Sequence, residues 1–442
     1  MNNVMNRRQF LATMVGGMVV STALGAGRVF GANDRIRVGM MGIGGRGTYL
    51  TARLAARSDV DIVYLCDVNA RQFGRAAEEV RSRTNTRPQM VQDYRKMLDD
   101  QTIQGIVNAT PDHWHALGTI RACQAGKDVY VEKPLSLTLW EGRQMVDAAR
   151  KYERVVQAGI QNRSAPYFME ALEFLQSGQL GDIHLIRVFN MMKHSPSPRG
   201  SEEPVPNGFD WDMWCGPSEK APYSPGRWWF NRWEYSVGGI LGDQIHQLDA
   251  ARALINRVAP ESVYHAGGVH YFDDGREIPD TQLVTYEFGD NLTMVAESTL
   301  WTSYMQKTPS TIRDTDSFPD WPFNSTKVEI CGSEGFMYFG RHGGGWQIYN
   351  NDKELITSTY GRQSTDEHLT DWLECIRTRE QPRGDVAEAH YSTALGHLAN
   401  ASYRAGNVKL EYNPETEQTD NPEANQHLTK EYRKPWIVPE IS

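Results

Sequence analysis

From Arg35 onward the chain repeats one pattern: a short apolar run, a turn, a stretch of helical periodicity, then another apolar run. The apolar runs are Ile36 to Met41, Ile62 to Cys66, Ile103 to Ala109 and Val129 to Val131. Between them, "TRPQMVQDYRKMLDD" ends in an amphipathic helix, and "WHALGTIRACQAGKD" forms another that Gly126 closes. Such alternation predicts βαβ units and a parallel sheet, here extending to about Gln161.

Beyond that point the texture changes. "YFMEALEFLQSGQLGDIHLIRVFNMM" predicts a helix that turns at Gly178 and Gly181 into a long alternating strand. A loop rich in Pro and Trp follows, then a helix near Asp243 to Ile255. "SVYHAGGVHYFD", "TQLVTYEFG", "LTMVAEST", "KVEICGSEG" and "GGWQIYN" then predict successive strands with short turns, so this half is α+β with a largely antiparallel sheet. Helical stretches "DEHLTDWLECIRTR" and "HYSTALGHLANASYRAG" lead to Gly406, and a polar tail carrying Trp436 is expected to wrap the surface. The organisation predicted is residues 1–32 as a separate leading segment, 33–160 as an α/β domain, 161–410 as an α+β domain, and 411–442 as the tail.

With 442 residues, 40% of them hydrophobic, the chain can build two real cores. Its net charge of -9 has no basic stripe beside it, which argues against nucleic acid and against an anionic membrane surface as partners. Five scattered cysteines, Cys66, Cys123, Cys215, Cys331 and Cys375, show no CxxC pair and no zinc spacing, and read as separate core thiols. The first thirty residues stand apart: Arg7 and Arg8, Phe10 and Leu11, then an apolar run diluted with Gly, Ser and Thr. This resembles a twin-arginine export signal, with small residues from Gly25 to Ala32 as cleavage points, and predicts a periplasmic or otherwise exported protein. The run is shorter than the roughly 20 residues of a bilayer span.

Candidate chemistry gathers at the predicted strand ends. "GIGGRG", with Gly42, Gly44 and Gly47, is a GxGxxG turn directly after a strand and opening a helix. The first glycine permits the tight turn, the second lets a pyrophosphate approach the backbone, and the third allows helix and sheet to pack closely. Ile43 and Arg46 of the same turn count as cofactor contacts. Asp67 ends the next strand, where a carboxylate accepts both hydroxyls of an adenosine ribose and repels a 2'-phosphate. NAD is therefore favoured over NADP, with Arg71 keeping NADP open.

In "NATPDHWHA", Thr110 and Pro111 fall at another strand end, and His113 and His115 open the helix that follows. Two histidines without a third ligand make no metal site, and none is expected; His115 counts as a cofactor contact. In "VEKPLS", Glu132 and Lys133 end a later strand, where a lysine can reach the nicotinamide end, donate to a substrate hydroxyl and lower its pKa. The alternative is a surface ion pair beside a helix-capping proline. Gln161 closes the cofactor set.

In "VGGILGDQIHQLDAARAL", Asp243, His246 and Asp249 are spaced three apart and are expected on one helix face, with a carboxylate orienting a general-base histidine. A capping Asp and a buried, satisfied His are the alternative. The preceding loop "FDWDMWCGPSEKAPYSPGRWWFNRWEY" sets aromatic faces among polar groups, a surface that suits sugar rings, or else simply covers the core. Arg163, Arg227 and Trp228 join Lys133, Asp243 and His246 as candidate substrate contacts.

Together the glycine turn, "CDVN", "ATPDHWHA", "VEKPLS" and "GG" leading into "HQLD" resemble the family of glucose-fructose oxidoreductase, inositol dehydrogenase and MocA, from Arg35 to about Gly406. The end, "NPEANQHLTKEYRKPW", resembles its exported twin-arginine branch. The resemblance implies a Rossmann domain plus a C-terminal α+β domain with an open sheet, often assembled as a homodimer or homotetramer. It implies a tightly bound nicotinamide cofactor and hydride transfer with a sugar, glycoside or polyol. Lys133 then takes the place of the catalytic lysine, His246 that of the base, and Glu132 lies near the nicotinamide ribose. The family pattern has an aspartate four residues before the histidine; Gly242 stands there, and Asp243 is three before. An NAD-dependent glycosidase acting by transient oxidation and elimination is the competing reading.

Overall fold

A computed structural model describes residues 35–197, 200–225 and 229–442; the amino-terminal segment, Arg227 and Trp228 lie outside the described residues. Six strands, β1 (Ile36–Met41), β2 (Val60–Cys66), β3 (Gln89–Val91), β4 (Gly105–Asn108), β5 (Asp128–Val131) and β6 (Val156–Ala158), form one sheet in the order β3-β2-β1-β4-β5-β6. Every pairing in it is parallel. The chain crosses the sheet by helices α1 (Gly45–Ala55), α2 (Phe73–Arg81), α3 (Asp112–Gln124) and α4 (Leu139–Lys151). Strand order reverses between β1 and β4, the position at which an open α/β sheet leaves a crevice beyond its carboxyl ends. The turns after Met41, Cys66, Asn108 and Val131 all open there.

The second half is a ten-stranded sheet of β7 (Leu185–Met191), β8 (Ser262–Gly268), β9 (Thr281–Glu287), β10 (Thr293–Thr299), β11 (Lys327–Gly332), β12 (Gly335–Gly340), β13 (Trp346–Asn350), β14 (Leu355–Thr359), β15 (Leu410–Asn413) and β16 (Gln418–Thr419). Their order is β14-β13-β12-β11-β7-β10-β9-β8-β15-β16. Only β7 and β10 pair in parallel. Strand β10 alternates buried and half-buried positions along its whole length, the burial pattern of a sheet with one covered face. Leu283 and Tyr264 are exposed on neighbouring strands.

Among the described residues, four longer helices belong to the second half: α5 (Pro166–Gln176), α6 (Ile245–Leu254), α7 (Thr365–Thr378) and α8 (Val386–Arg404). Leu248 of α6 and Leu395 and Leu398 of α8 share a core with Val188, Val284 and Ala296 of the large sheet. Helix α7 instead crosses to the first sheet. Its Leu369, Trp372 and Leu373 are buried with Val38, Leu50, Ile62 and Val80. A Cβ on Gly105 of β4 would meet the Trp372 ring at 3.0 Å, so that strand gives up a side chain to make room for the indole. The tail also returns to the first half. Leu428, Trp436, Val438 and Ile441 are buried, Trp436 lies edge-on to Trp114 at 5.4 Å, and the Ile441 amide donates to Gln144 at 2.6 Å.

Strands β3, β6, β12, β14, β15 and β16 escape the apolar pattern, the shortest because two to four residues show no period. β12 and β14 follow hairpin turns inside stretches where the pattern marks one strand only. The helix expected in "RKMLDD" is a single turn, Arg95–Leu98.

Candidate active site

The carboxyl ends of β1, β2, β4 and β5 open into a cleft of about 650 Å³, closed on the far side by residues of the second sheet and by the tryptophan-rich loop. Gly42 begins the turn after β1 with φ +79°, and a Cβ there would strike the backbone of Ala109 and Thr110 at 2.8–2.9 Å. Gly44 has nothing within 4 Å of where its Cβ would be, and α1 starts at Gly45 without a side-chain cap. Free amides of a helix N-terminus therefore face an open concavity, the arrangement that receives a phosphate group. Gly47 faces inward; its Cβ would fall 2.0 Å from the Gly42 carbonyl oxygen, so this glycine serves the packing of turn on helix. Asp67 lines the cleft, its carboxylate fixed by the amides of Ile43 at 3.0 Å and Asn69 at 2.9 Å. The glycine cradle, the uncapped helix end and the anchored carboxylate together fit a dinucleotide.

Ile43 itself departs from the expectation. Its amide is committed to Asp67 and its side chain is buried in the core, so it shapes the turn from behind. His115 departs too, because the helix turns its ring away from the cleft. Nδ1 meets the Pro134 carbonyl at 2.6 Å and Nε2 meets the Thr110 carbonyl at 2.9 Å, which ties the turn after β4 to the turn after β5. Thr110 and Pro111 do line the cleft, the Thr110 hydroxyl donating to Asn108 at 2.6 Å. His113 is buried with Nε2 against the Trp214 carbonyl at 2.8 Å, and carries part of the tryptophan-rich loop.

At the end of β5 the charges of "EKP" separate. Glu132 is buried and takes Arg46 Nε at 2.7 Å. Burial alone would raise the pKa of its carboxyl, but Arg46 and Lys133 hold it below the ordinary carboxylate value. The Tyr130 hydroxyl, which receives Gln161 Nε2 at 3.0 Å, stands behind this pair. Lys133 extends into the cleft and donates through Nζ to the Gly242 carbonyl. Burial pushes its pKa down, against the pull of Asp243 and Glu132.

The second half contributes His246, Arg313, Arg341 and His342. His246 opens α6, with its ring 4.1 Å from that of His342 and its Nδ1 buried without a partner. Burial, and then His342, Arg341 and Lys133, hold it well below the ordinary histidine pKa, so the ring is uncharged. Asp243 does not orient it. The chain breaks helical geometry at Asp243, φ -133° and ψ -44°, between a short turn at Gly239–Gly242 and α6, so the three-residue spacing to His246 no longer shares a face. The Asp243 carboxylate instead accepts from Arg341 Nη2 at 2.5 Å and lies 3.6 Å from Lys307 Nζ. Burial works against its ionisation, yet these cations keep it ionised. Gly242 has its own reason: a Cβ there would strike the Phe230 ring at 2.3 Å.

Arg163 and Asp249 leave the site. The single turn Gln161–Ser164 directs Arg163 toward α6 and α8, where its guanidinium meets Asp249 at 2.9 Å and Glu388 at 3.0 Å; Asp249 also takes the Ser392 hydroxyl at 2.7 Å. In the tryptophan-rich loop, Phe209, Met213, Trp214, Trp229 and Phe230 line the cleft, Trp214 stacked on Trp211 at 4.5 Å. Arg341 and His342 carry no local motif. They reach the cleft from the turn after β12, which the sheet register brings opposite the nucleotide turn. Among the described residues no cluster of His, Cys, Asp and Glu could hold a metal ion.

Residues 36–160 match the family described as oxidoreductase family, NAD-binding Rossmann fold, and residues 168–338 match the GFO/IDH/MocA C-terminal domain. Among curated proteins, a glycosyl hydrolase family 109 protein of Stenotrophomonas maltophilia is 28% identical over 228 residues, 48% of this chain and 50% of that protein. A glycosyl hydrolase family 109 protein 1 of a Shewanella species is 30% identical over 125 residues, 27% of each. The chain spans half or less of the length of these relatives. Among solved structures, the aldose-aldose oxidoreductase from Caulobacter crescentus complexed with glycerol superposes with a TM-score of 0.64 at 16% identity, covering 85% of this chain and 99% of that one. The WlbA dehydrogenase from Bordetella pertussis, in complex with NADH and UDP-GlcNAcA, gives 0.63 at 19% identity, covering 86% and 99%. At such identities the likeness is one of fold.

Proposed function

The chain belongs to the GFO/IDH/MocA oxidoreductase family, and from that premise we propose that it exchanges hydride between a sugar, glycoside or polyol C–OH and a tightly bound nicotinamide cofactor. The observation that carries this reading is the meeting of Lys133 and uncharged His246 in the cleft that holds the dinucleotide cradle. Gly42, Gly44 and the amides opening α1 would hold the pyrophosphate, Asp67 the adenosine ribose, and Glu132 with Arg46 the wall beside the nicotinamide end. The cofactor, when bound, supplies the acceptor for the hydride. Asp67 favours NAD over NADP.

Lys133 is placed to donate to the substrate oxygen and to stabilise the charge that develops there as hydride leaves. His246 accepts the hydroxyl proton, and because burial and then its neighbours disfavour the imidazolium it passes that proton on to solvent readily. Asp243 sets the position of Arg341 and the local charge and takes no part in proton transfer. The aromatic wall of Trp214, Trp229 and Phe230 suits the CH face of a sugar ring.

A second reading, glycoside cleavage through transient oxidation and elimination, is favoured by the family 109 relatives. Incubation with a panel of glycosides, followed by product analysis, separates the two: a ketosugar with intact aglycone supports net oxidation, and free aglycone without net reduction of the cofactor supports the glycosidase. Neither product from any glycoside, sugar or polyol would contradict both. Arg7, Arg8 and the apolar run after them support export of the folded, cofactor-loaded chain to the periplasm by the twin-arginine machinery. The open sheet face around Tyr264 and Leu283 supports a homodimer or homotetramer.

A further inference from the structure

The substrate end of the cleft is built for negative charge. Arg341 is 5% exposed and lines the cleft, yet Asp243 occupies only Nη2; Nε and Nη1 are buried with no acceptor. Leaving two guanidinium donors unmet in the interior is costly, and an arginine so placed usually awaits a partner. The nearby acids cannot supply it. Glu132 is engaged by Arg46, Asp112 accepts from the Ser236 hydroxyl at 2.9 Å and the Val237 amide at 3.3 Å, and Asp243 is shared between Arg341 and Lys307. Lys133, Lys307, Arg313 and Arg341 gather around the Asp243 carboxylate, with Glu132 and Asp112 acting also on Lys133 and Asp314 on Arg313. The mutual repulsion of these cations is visible in Lys307, whose pKa burial, followed by Arg341, brings down to about 8.

We propose that the substrate is an anionic sugar, carrying a uronate-type carboxylate or a phosphate ester that Arg341 receives through its unmet donors while Lys133 holds the reacting oxygen. An arginine fork matches carboxylate and phosphate oxygens in geometry as well as charge. The proposal rests on the hydride-transfer reading for its reacting hydroxyl, but its test reads binding alone.

The NADH-loaded protein is titrated, following the fluorescence of the reduced nicotinamide, with methyl glucuronoside and methyl galacturonoside, each beside its methyl ester, and with glucose 6-phosphate beside glucose. At least one anion should bind about tenfold or more tightly than its neutral counterpart. Which arm shows the preference tells carboxylate from phosphate. Arg341→Met should reduce that preference to about twofold or less while NADH affinity stays unchanged. No preference for any anion in the unmodified protein would overturn the proposal whether or not the variant folds. So would a variant that keeps the preference, or one that loses NADH together with it. A clear preference in a protein that never reduces NAD with any sugar would sink the hydride reading and leave this one standing.

Discussion

Asp67 gives one carboxylate oxygen to the Ile43 amide and the other to Asn69, which locks the carboxylate at the end of β2 with its outer face toward the cleft. A ribose diol can donate to such a group, and a 2'-phosphate is repelled by it. Asp67→Ala should therefore weaken NAD by about 1 to 3 kcal/mol and narrow the gap to NADP, measured by calorimetric titration of both. Tighter binding of NADP than NAD by the unmodified protein would contradict the role given to Asp67. The place of Asp67, the glycine turn and Lys133 in the cleft was legible in the sequence because each stands at the end of a recognisable apolar run, where backbone topology alone decides what it faces. His115 and Arg163 were read wrongly for the opposite reason. Their neighbours in sequence suit a site, but distant partners, the Pro134 carbonyl for one and Asp249 for the other, turn the side chains away. Arg341 and His342 had no local signal at all.

At the scale of elements, α4 shows how the chain punctuates the approach to the site. Thr138 caps it by accepting from the Glu141 amide at 3.2 Å, and Glu141 reaches back to the Leu137 amide at 2.9 Å, a reciprocal box just after "EKP". Glu141 is fully buried, and burial pushes its carboxyl up to about 7. A carboxyl whose folded pKa lies above its unfolded value binds protons more readily in the native state, so its contribution is full below the unfolded pKa and is lost as pH rises toward 7. Glu141→Gln keeps the cap without the titration. Denaturant unfolding at pH 5 and pH 7.5 should show the unmodified protein losing on the order of 3 kcal/mol more than the variant over that interval; equal losses would show that Glu141 is not protonated in the fold. Periodicity marked the long helices and strands, whereas β6, with three residues, offered no period to read. The break at Asp243 was equally hidden, since the spacing to His246 is compatible with a continuous helix and the groups that accompany the interruption, Phe230, Lys133 and Arg341, are distant in sequence.

Across the whole molecule, one of two hydrophobic cores joins the sheets, setting Ile106 and Val129 of the first with Val188, Val284 and Ile330 of the second, and later segments return to the first half. Helix α7 covers one face of the parallel sheet with Trp372, and the tail lays Leu428, Trp436, Val438 and Ile441 over α3 and α4. Four buried side chains at roughly 1.5 to 3 kcal/mol each are a large share of any domain's stability. Deletion of residues 428–442 should lower the denaturation midpoint sharply or leave the protein insoluble, and an unchanged midpoint would show that the tail only drapes the surface. The same closure sets Lys133, at the end of β5, against His246 of α6 and Arg341 after β12, and the proposed hydride transfer takes place on a substrate held among these side chains. Single-turnover mixing of the NAD-loaded protein with a reactive sugar, followed at the absorbance band of reduced nicotinamide in the unmodified protein and in Lys133→Met, tests it most directly. The cofactor should stay bound in the variant while its reduction slows by about a hundredfold or more; reduction at an unchanged rate would contradict this and leave Lys133 as a structural donor to the Gly242 carbonyl.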